Sequence, residues 1–257
     1  MEALFSLLLL LLLAPEALWA GGDTLEAHII GGHEAVPHSR PYMVLLQKDD
    51  GSYLCGAVLV NHWWVLTAAH CIVHPMEQLR LRLGIHEFED DVLSLEVKKA
   101  VLHPDYKPPP ALLNDLALLK MERKVTFNKT VKALGLPRKH QAVATGAKCS
   151  VAGWGLTQLG HMAEALQELD MRVLDARMCN NSRFWNGNIT PNMICLEANS
   201  KNKGPCKGDS GGPLVCRKGQ VAGILSFSSK TCTNVFKPPV ATAVPPYVSW
   251  IKKIIKH

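Results

Sequence analysis

This chain has no hydrophobic run long enough to cross a bilayer: its longest, Leu4 to Ala14, is eleven residues interrupted by Ser6, against the roughly 20 that a spanning helix needs. Lysine and arginine are missing from the first 28 residues, so Glu2 stands where a secretory leader usually carries positive charge. No CxxC pair occurs and no Cys/His spacing suits a zinc site, so the cysteines are not read as metal ligands. No basic stretch is interleaved with aromatic residues, which make up 6% of the chain, and nucleic-acid binding is left without a motif. Internal repeats and low-complexity segments are lacking after the leader, Lys107 to Pro110 being a short Pro-rich surface loop. With 47% hydrophobic residues, 19% charged, 19 Gly and 16 Pro, the composition also excludes a disordered or fibrous chain.

What is present points to the secretory route. The Leu4 to Ala14 run and the small-residue end Leu18-Trp19-Ala20 predict a signal peptide over residues 1–20. Eight cysteines, an even number, then fit a disulfide-bonded protein in an oxidising compartment. Three glycosylation triplets agree: Asn128-Lys129-Thr130, Asn180-Asn181-Ser182 and Asn188-Ile189-Thr190. All 28 Lys and Arg but only 18 of the 22 acids lie after His28, so a net charge of +6 becomes +10 for the mature part. The mature protein is expected to be soluble, with no membrane span, no metal and no cofactor.

At 257 residues the chain suits one or two domains, and all-β barrels reach this size as one unit. Short runs rich in Val, Leu and Ile alternate with Gly, Pro, Asn and Asp clusters: Met43 to Leu46, Ala57 to Val60, Leu79 to Leu83, Leu116 to Met121, Val151 to Gly153 and Val221 to Phe227. That pattern predicts an all-β sandwich or barrel. The end differs. Val248, Ile251 and Ile255 recur at helical spacing among Lys252, Lys253 and Lys256, which predicts a short amphipathic C-terminal helix.

Three separated segments carry reactive side chains: Leu66-Thr67-Ala68-Ala69-His70-Cys71, Asn114-Asp115-Leu116-Ala117-Leu118-Leu119 and Gly208-Asp209-Ser210-Gly211-Gly212-Pro213. Singly, each has a bland reading: a core histidine, a turn aspartate, a glycine turn. Together, in a secreted β protein, His70, Asp115 and Ser210 make a nucleophile, a base and the group that orients the base. A serine hydroxyl is a weak nucleophile at neutral pH, so Ser210 needs His70 to take its proton, and His70 needs Asp115 to hold its tautomer.

On these residues the chain resembles the chymotrypsin-like serine proteases, over essentially all of 29–257. Ile29-Ile30-Gly31-Gly32-His33-Glu34 and Pro37-His38-Ser39-Arg40-Pro41-Tyr42-Met43 make it similar to the granzymes of cytotoxic lymphocytes within that family. Met178 to Gly187 and Phe236 to Val244 narrow the likeness to one granzyme branch. The resemblance implies two six-stranded antiparallel β-barrels of the chymotrypsin type with the short C-terminal helix. It implies a serine endopeptidase with catalytic His70, Asp115 and Ser210, and an oxyanion hole made by the N–H groups of Gly208 and Ser210, each donor worth about 3 to 4 kcal/mol. Glycine suits position 208 because a side chain would crowd the substrate and restrict the turn. It implies the disulfides Cys55 with Cys71, Cys149 with Cys216, Cys179 with Cys195, and Cys206 with Cys232, one choice among the 105 that eight cysteines allow.

By the same resemblance, cleavage after His28 frees the amine of Ile29 to pair with Asp209, and the uncleaved precursor is inactive. Residues 29–257 form the protease domain and 21–28 the prosegment. A signal ending at Glu26 would instead leave the dipeptide Ala27-His28 for a dipeptidase. The specificity pocket maps to Gly204, Ser226, Phe227, Ser228 and Pro239, with Lys207 beside the oxyanion glycine. Gly204 has no charge for a Lys or Arg substrate, which would bury an unpaired cation. Ser228 and Pro239 narrow the slot, so Met or Leu is expected before the cut. Lys207 is expected either to favour acidic groups on the substrate or to be a solvated charge. Ala57, where relatives carry glycine, is expected to put a methyl near the substrate-exit side.

Partners implied are protein substrates, an activating dipeptidase, serpin-type inhibitors and acidic proteoglycan in a secretory granule of lymphocytes, with the protein a monomer. His70 must be neutral to act as a base, so an acidic granule would hold activity low. A rival class is a catalytically silent binding protein of the same fold, whose basic patches at Arg138-Lys139-His140 and the C-terminal lysines engage glycosaminoglycan or membrane.

Overall fold

A computed structural model describes residues 29–72 and 75–256. The expected signal peptide and prosegment lie outside the described residues. The expected strands are present, extended by neighbours with more polar sequences.

Strand β1 (His33–Glu34) precedes the first barrel, which comprises β2 (Met43–Lys48), β3 (Tyr53–Leu59), β4 (Trp64–Thr67), β5 (Leu79–Leu83), β6 (Leu93–Leu102) and β7 (Ala117–Met121). These close antiparallel in the order β2-β3-β4-β7-β6-β5. Strand period decides which side chains fill it: in β5, Leu79, Leu81 and Leu83 are buried while Arg80 and Arg82 face outward. The β2–β3 hairpin turns at Gly51, whose φ of 82° is open to glycine, and the Asp50 carboxylate accepts from Ser52 N–H at 2.8 Å.

The second barrel comprises β8 (Lys148–Gly153), β9 (Gln167–Val173), β10 (Met193–Ala198), β11 (Pro213–Val215), β12 (Gly223–Phe227) and β13 (Val240–Ala243). Its order is β9-β10-β13-β12-β11-β8, and pairing of β8 with β9 closes the ring. A short helix α1 (Ala176–Cys179) lies between β9 and β10, and α2 (Val248–Ile255) ends the chain. The Asp175 carboxylate caps α1 by accepting from Arg177 and Met178 N–H.

Both ends of the chain cross over. β1 adds to β9 of the second barrel, through His33 opposite Glu168. Helix α2, which follows the second barrel, sends Val248 and Ile251 into the core cluster of the first, among Val44, Leu46 and Val65. The four disulfides join the pairs implied by the resemblance: Cys55–Cys71, Cys149–Cys216, Cys179–Cys195 and Cys206–Cys232. One expectation is overturned. Ala57 is fully buried in the first core, so its methyl packs inside the barrel and not beside a substrate. No described helix is long and apolar enough to cross a membrane.

Candidate active site

The three segments meet although they come from different barrels. β4 runs into a single 3-10 turn, Ala69–Cys71, which puts His70 at the barrel's end, with the adjacent cysteine tied to β3. Asp115 lies just before β7 and Ser210 just before β11. Asp115 is fully buried, and a buried carboxylate must be hydrogen-bonded. Its Oδ1 accepts from the backbone N–H of His70 at 2.9 Å, and its Oδ2 lies 2.7 Å from His70 Nδ1. Ser226 Oγ donates to the same Oδ2 at 2.5 Å. With Nδ1 committed to the carboxylate, Nε2 lies 3.8 Å from Cys71 Sγ, and the imidazole side chain is 23% exposed.

Ser210 Oγ donates to the Ser226 carbonyl at 3.4 Å. Its turn is held residue by residue. The carbonyls of Lys207 and Ser210 accept from Leu156 N–H at 2.8 Å and Gly56 N–H at 2.9 Å, and Gly211 N–H donates to Leu225 at 2.7 Å. Gly208 and Gly211 have φ of 99° and 81°, which explains glycine at both places. At 208 the restriction is also internal: a Cβ would stand 2.5 Å from Tyr53 Cε1, 2.8 Å from Met162 Cε and 3.0 Å from Gly155 Cα.

Asp209 points the other way, into the protein, with no exposure. Its Oδ1 accepts from Gly155 N–H at 2.9 Å and its Oδ2 from Cys206 N–H at 2.8 Å. Burial pushes its carboxyl up to about 7, against the downward pull of those two N–H groups. Gly153 and Gly155 form the cradle, since a Cβ on either would collide with the carboxylate. Between them Trp154 is fully buried and donates its Nε1–H to the His86 carbonyl at 2.9 Å. Ile29 is buried as well, in the core of the second barrel.

The residues mapped to the pocket cluster in the second barrel. Gly204 is buried, and a Cβ there would meet the Cys232 carbonyl at 2.8 Å and Pro239 Cγ at 3.8 Å, so no larger residue fits. Phe227 packs edge-on against Trp185, ring centroids 5.0 Å apart, and Ser228 is half-buried beside it. Lys207 is exposed, and among the described residues no carboxylate pairs with it. A cavity of about 390 Å³ shares Cys232 and Pro239 with this region but includes no member of the triad. Cys55, His70 and Cys71 cluster as metal ligands would, yet both sulfurs are spent in one disulfide and offer no thiolate.

Sequence reasoning placed Ser226 only in a pocket wall and missed its bond to Asp115. It also missed Gly153, Gly155, Gly56 and Tyr53. The run Gly153-Trp154-Gly155 was the available signal, since glycines flanking a large aromatic mark backbone that another group approaches closely.

A buried carboxylate bound to an imidazole, a serine on a glycine turn and an open face suit acyl transfer. The trypsin family pattern matches residues 29–251. Human granzyme M is 58% identical over 256 residues, covering 99% of this chain and 98% of its own. Rat granzyme M is 59% identical over 252 residues, covering 96% of each. Among solved structures, neuropsin, a serine protease expressed in the limbic system of mouse brain, superposes with a TM-score of 0.80 at 32% identity, covering 87% of this chain and 98% of its own. Fold, site geometry and relatives together make this chain a member of the trypsin family, a serine endopeptidase.

Proposed function

We propose that the mature protein is a secreted, granule-stored endopeptidase that cleaves after Met or Leu, in the service of lymphocyte cytotoxicity. The observation that carries the chemistry is the doubly bound Asp115, one oxygen on His70 N–H and the other on His70 Nδ1. His70 Nε2 takes the Ser210 proton as Oγ attacks the scissile carbonyl. The oxyanion is received by the N–H groups of Gly208 and Ser210. His70 then returns the proton to the leaving amine, giving an acyl-enzyme, and a water activated by His70 releases the acid and restores Ser210.

Specificity follows from the uncharged Gly204 and from Pro239, which leave an apolar slot that a cation would enter without a partner. Removal of residues 1–28 frees the Ile29 amine as the countercharge for Asp209, whose carboxyl is otherwise held only by backbone N–H groups. With a signal ending at Glu26, a dipeptidase removing Ala27-His28 completes this step, and His28, being neither Lys nor Arg, argues against a trypsin-like activator. Serpin-type inhibitors, acidic proteoglycan and protein substrates complete the partners, in keeping with the names of the relatives and the +10 mature charge.

The test uses protein starting at Ile29, its Ser210→Ala variant, and four matched peptides with Met, Leu, Phe or Arg before the cut. Turnover of the Met and Leu peptides, abolished by Ser210→Ala, is expected. Turnover of the Arg peptide would refute the pocket, and no turnover at all would favour the basic binding protein, whose Arg138, Lys139, Lys252, Lys253 and Lys256 are exposed.

A further inference from the structure

Tyr53 belongs to none of the three reactive segments. It opens β3 in the first barrel, yet its side chain ends against the oxyanion turn of the second. Its hydroxyl donates to the Gly208 carbonyl at 2.6 Å. The Trp154 N–H faces the same phenolic oxygen, so the hydroxyl sits between the cradle of Asp209 and the turn that precedes Ser210. The ring itself is one wall of the space that forbids a side chain at 208.

A turn containing Gly208, Gly211 and Gly212 has little stiffness of its own, because glycine rotates almost freely about φ. It must be held from outside. Leu156 N–H holds Lys207, Cys206 and Gly155 N–H hold Asp209, and Gly56 N–H holds Ser210. For Gly208, the residue between them, the holding group is a side chain, that of Tyr53.

We infer that Tyr53 is a positioning residue for the oxyanion site: its hydroxyl fixes the Gly208 carbonyl and with it the turn that aims the Gly208 and Ser210 N–H groups. The inference rests on the reading of Ser210 as nucleophile and of these N–H groups as the oxyanion donors. Burial, reinforced by the nearby Asp209, pushes the Tyr53 phenol well above its ordinary range. The proton therefore stays on the oxygen throughout the neutral range, and the hydroxyl remains a donor.

Charge on the substrate oxygen develops only after attack, so a misaimed turn weakens the transition state more than the substrate complex. Tyr53→Phe keeps the ring and deletes only the donor. Met162→Ala keeps the donor and removes part of the packing on Gly208. Both are compared with wild type, starting at Ile29, on a Met peptide, with competent sites counted by burst titration so that misfolded protein does not enter kcat. Inhibition by the matching peptide aldehyde, which forms a tetrahedral adduct with the serine, is measured in parallel.

Tyr53→Phe is expected to lower kcat about tenfold, with KM within about twofold and aldehyde affinity falling by the same factor as kcat. Met162→Ala is expected to stay within about threefold on both. An unchanged kcat in Tyr53→Phe, a loss confined to KM, or an equal loss in Met162→Ala would overturn the inference. Wild-type protein that turns over no peptide would instead overturn the protease reading beneath it.

Discussion

A carboxyl with no exposure and only backbone N–H donors gives up its proton late as pH rises, and Asp209 does so at about 7 because of burial. An unfolded aspartate titrates near about 4, so between those values the folded chain holds more protons than the unfolded one. Stability linked to Asp209 is therefore full at low pH and is lost as pH rises toward 7. In uncleaved protein carrying Ser210→Ala, thermal unfolding at pH 5, 6, 7 and 8 should show Tm falling relative to the same protein with Asp209→Asn. Parallel curves for the two would contradict the burial argument. The asparagines of the glycosylation triplets are also separable by their bonds. Asn180 spends both ends of its amide on Ile189, Nδ2 to the carbonyl at 2.6 Å and Oδ1 from the N–H at 2.8 Å. Asn128 is exposed and uses only Oδ1, which accepts from Thr130 and Val131. Glycan-release mass spectrometry of secreted protein should find Asn128 modified and Asn180 bare.

Strands were legible where Val, Leu or Ile dominated a short run, as in Met43 to Leu46 and, with only arginines between its leucines, Leu79 to Leu83. β9 escaped because Glu168, Asp170 and Arg172 alternate with buried Leu169, Met171 and Val173. β6 escaped for the same reason, with Glu96 and Lys98 pointing outward. The triad was legible because its segments are unusual in themselves. Tyr53 and the glycines around Asp209 were not, because their roles exist only through contacts more than 50 residues away in the chain. Helix α2 was read correctly from its spacing, and its packing makes it testable. Ile251 is fully buried against the first barrel, so Ile251→Ala should cost about 3 kcal/mol in denaturant unfolding. Tyr247, just ahead of the helix, donates to Asn114 Oδ1 at 2.7 Å, beside Asp115. Asn114 holds a φ of 52° and needs that anchor. Tyr247→Phe should therefore lower kcat about threefold to tenfold while KM stays put, and a KM effect alone would count against it.

At the scale of the molecule, the catalytic parts are divided: His70 and Asp115 come with the first barrel, Ser210 with the second. Their alignment depends on how the barrels are joined, and the terminal elements do much of that joining. β1 leaves the first barrel's side to pair with β9, and α2 leaves the second barrel to fill the first core. Gly56 N–H reaching Ser210, Tyr53 Oη–H reaching the Gly208 carbonyl and Ser226 Oγ–H reaching Asp115 are bonds that cross within the site itself.

None of the four disulfides spans the two halves: Cys55–Cys71 lies in the first, and the other three lie in the second. The covalent connection is the peptide chain alone, and it passes through the exposed stretch Arg138-Lys139-His140. A single nick there should leave a protein that migrates as two pieces under denaturing, non-reducing conditions yet elutes as one particle and still turns over peptide. Each piece would carry the other's end as a clasp, so this protease could be made as two inert chains that become an enzyme only on meeting.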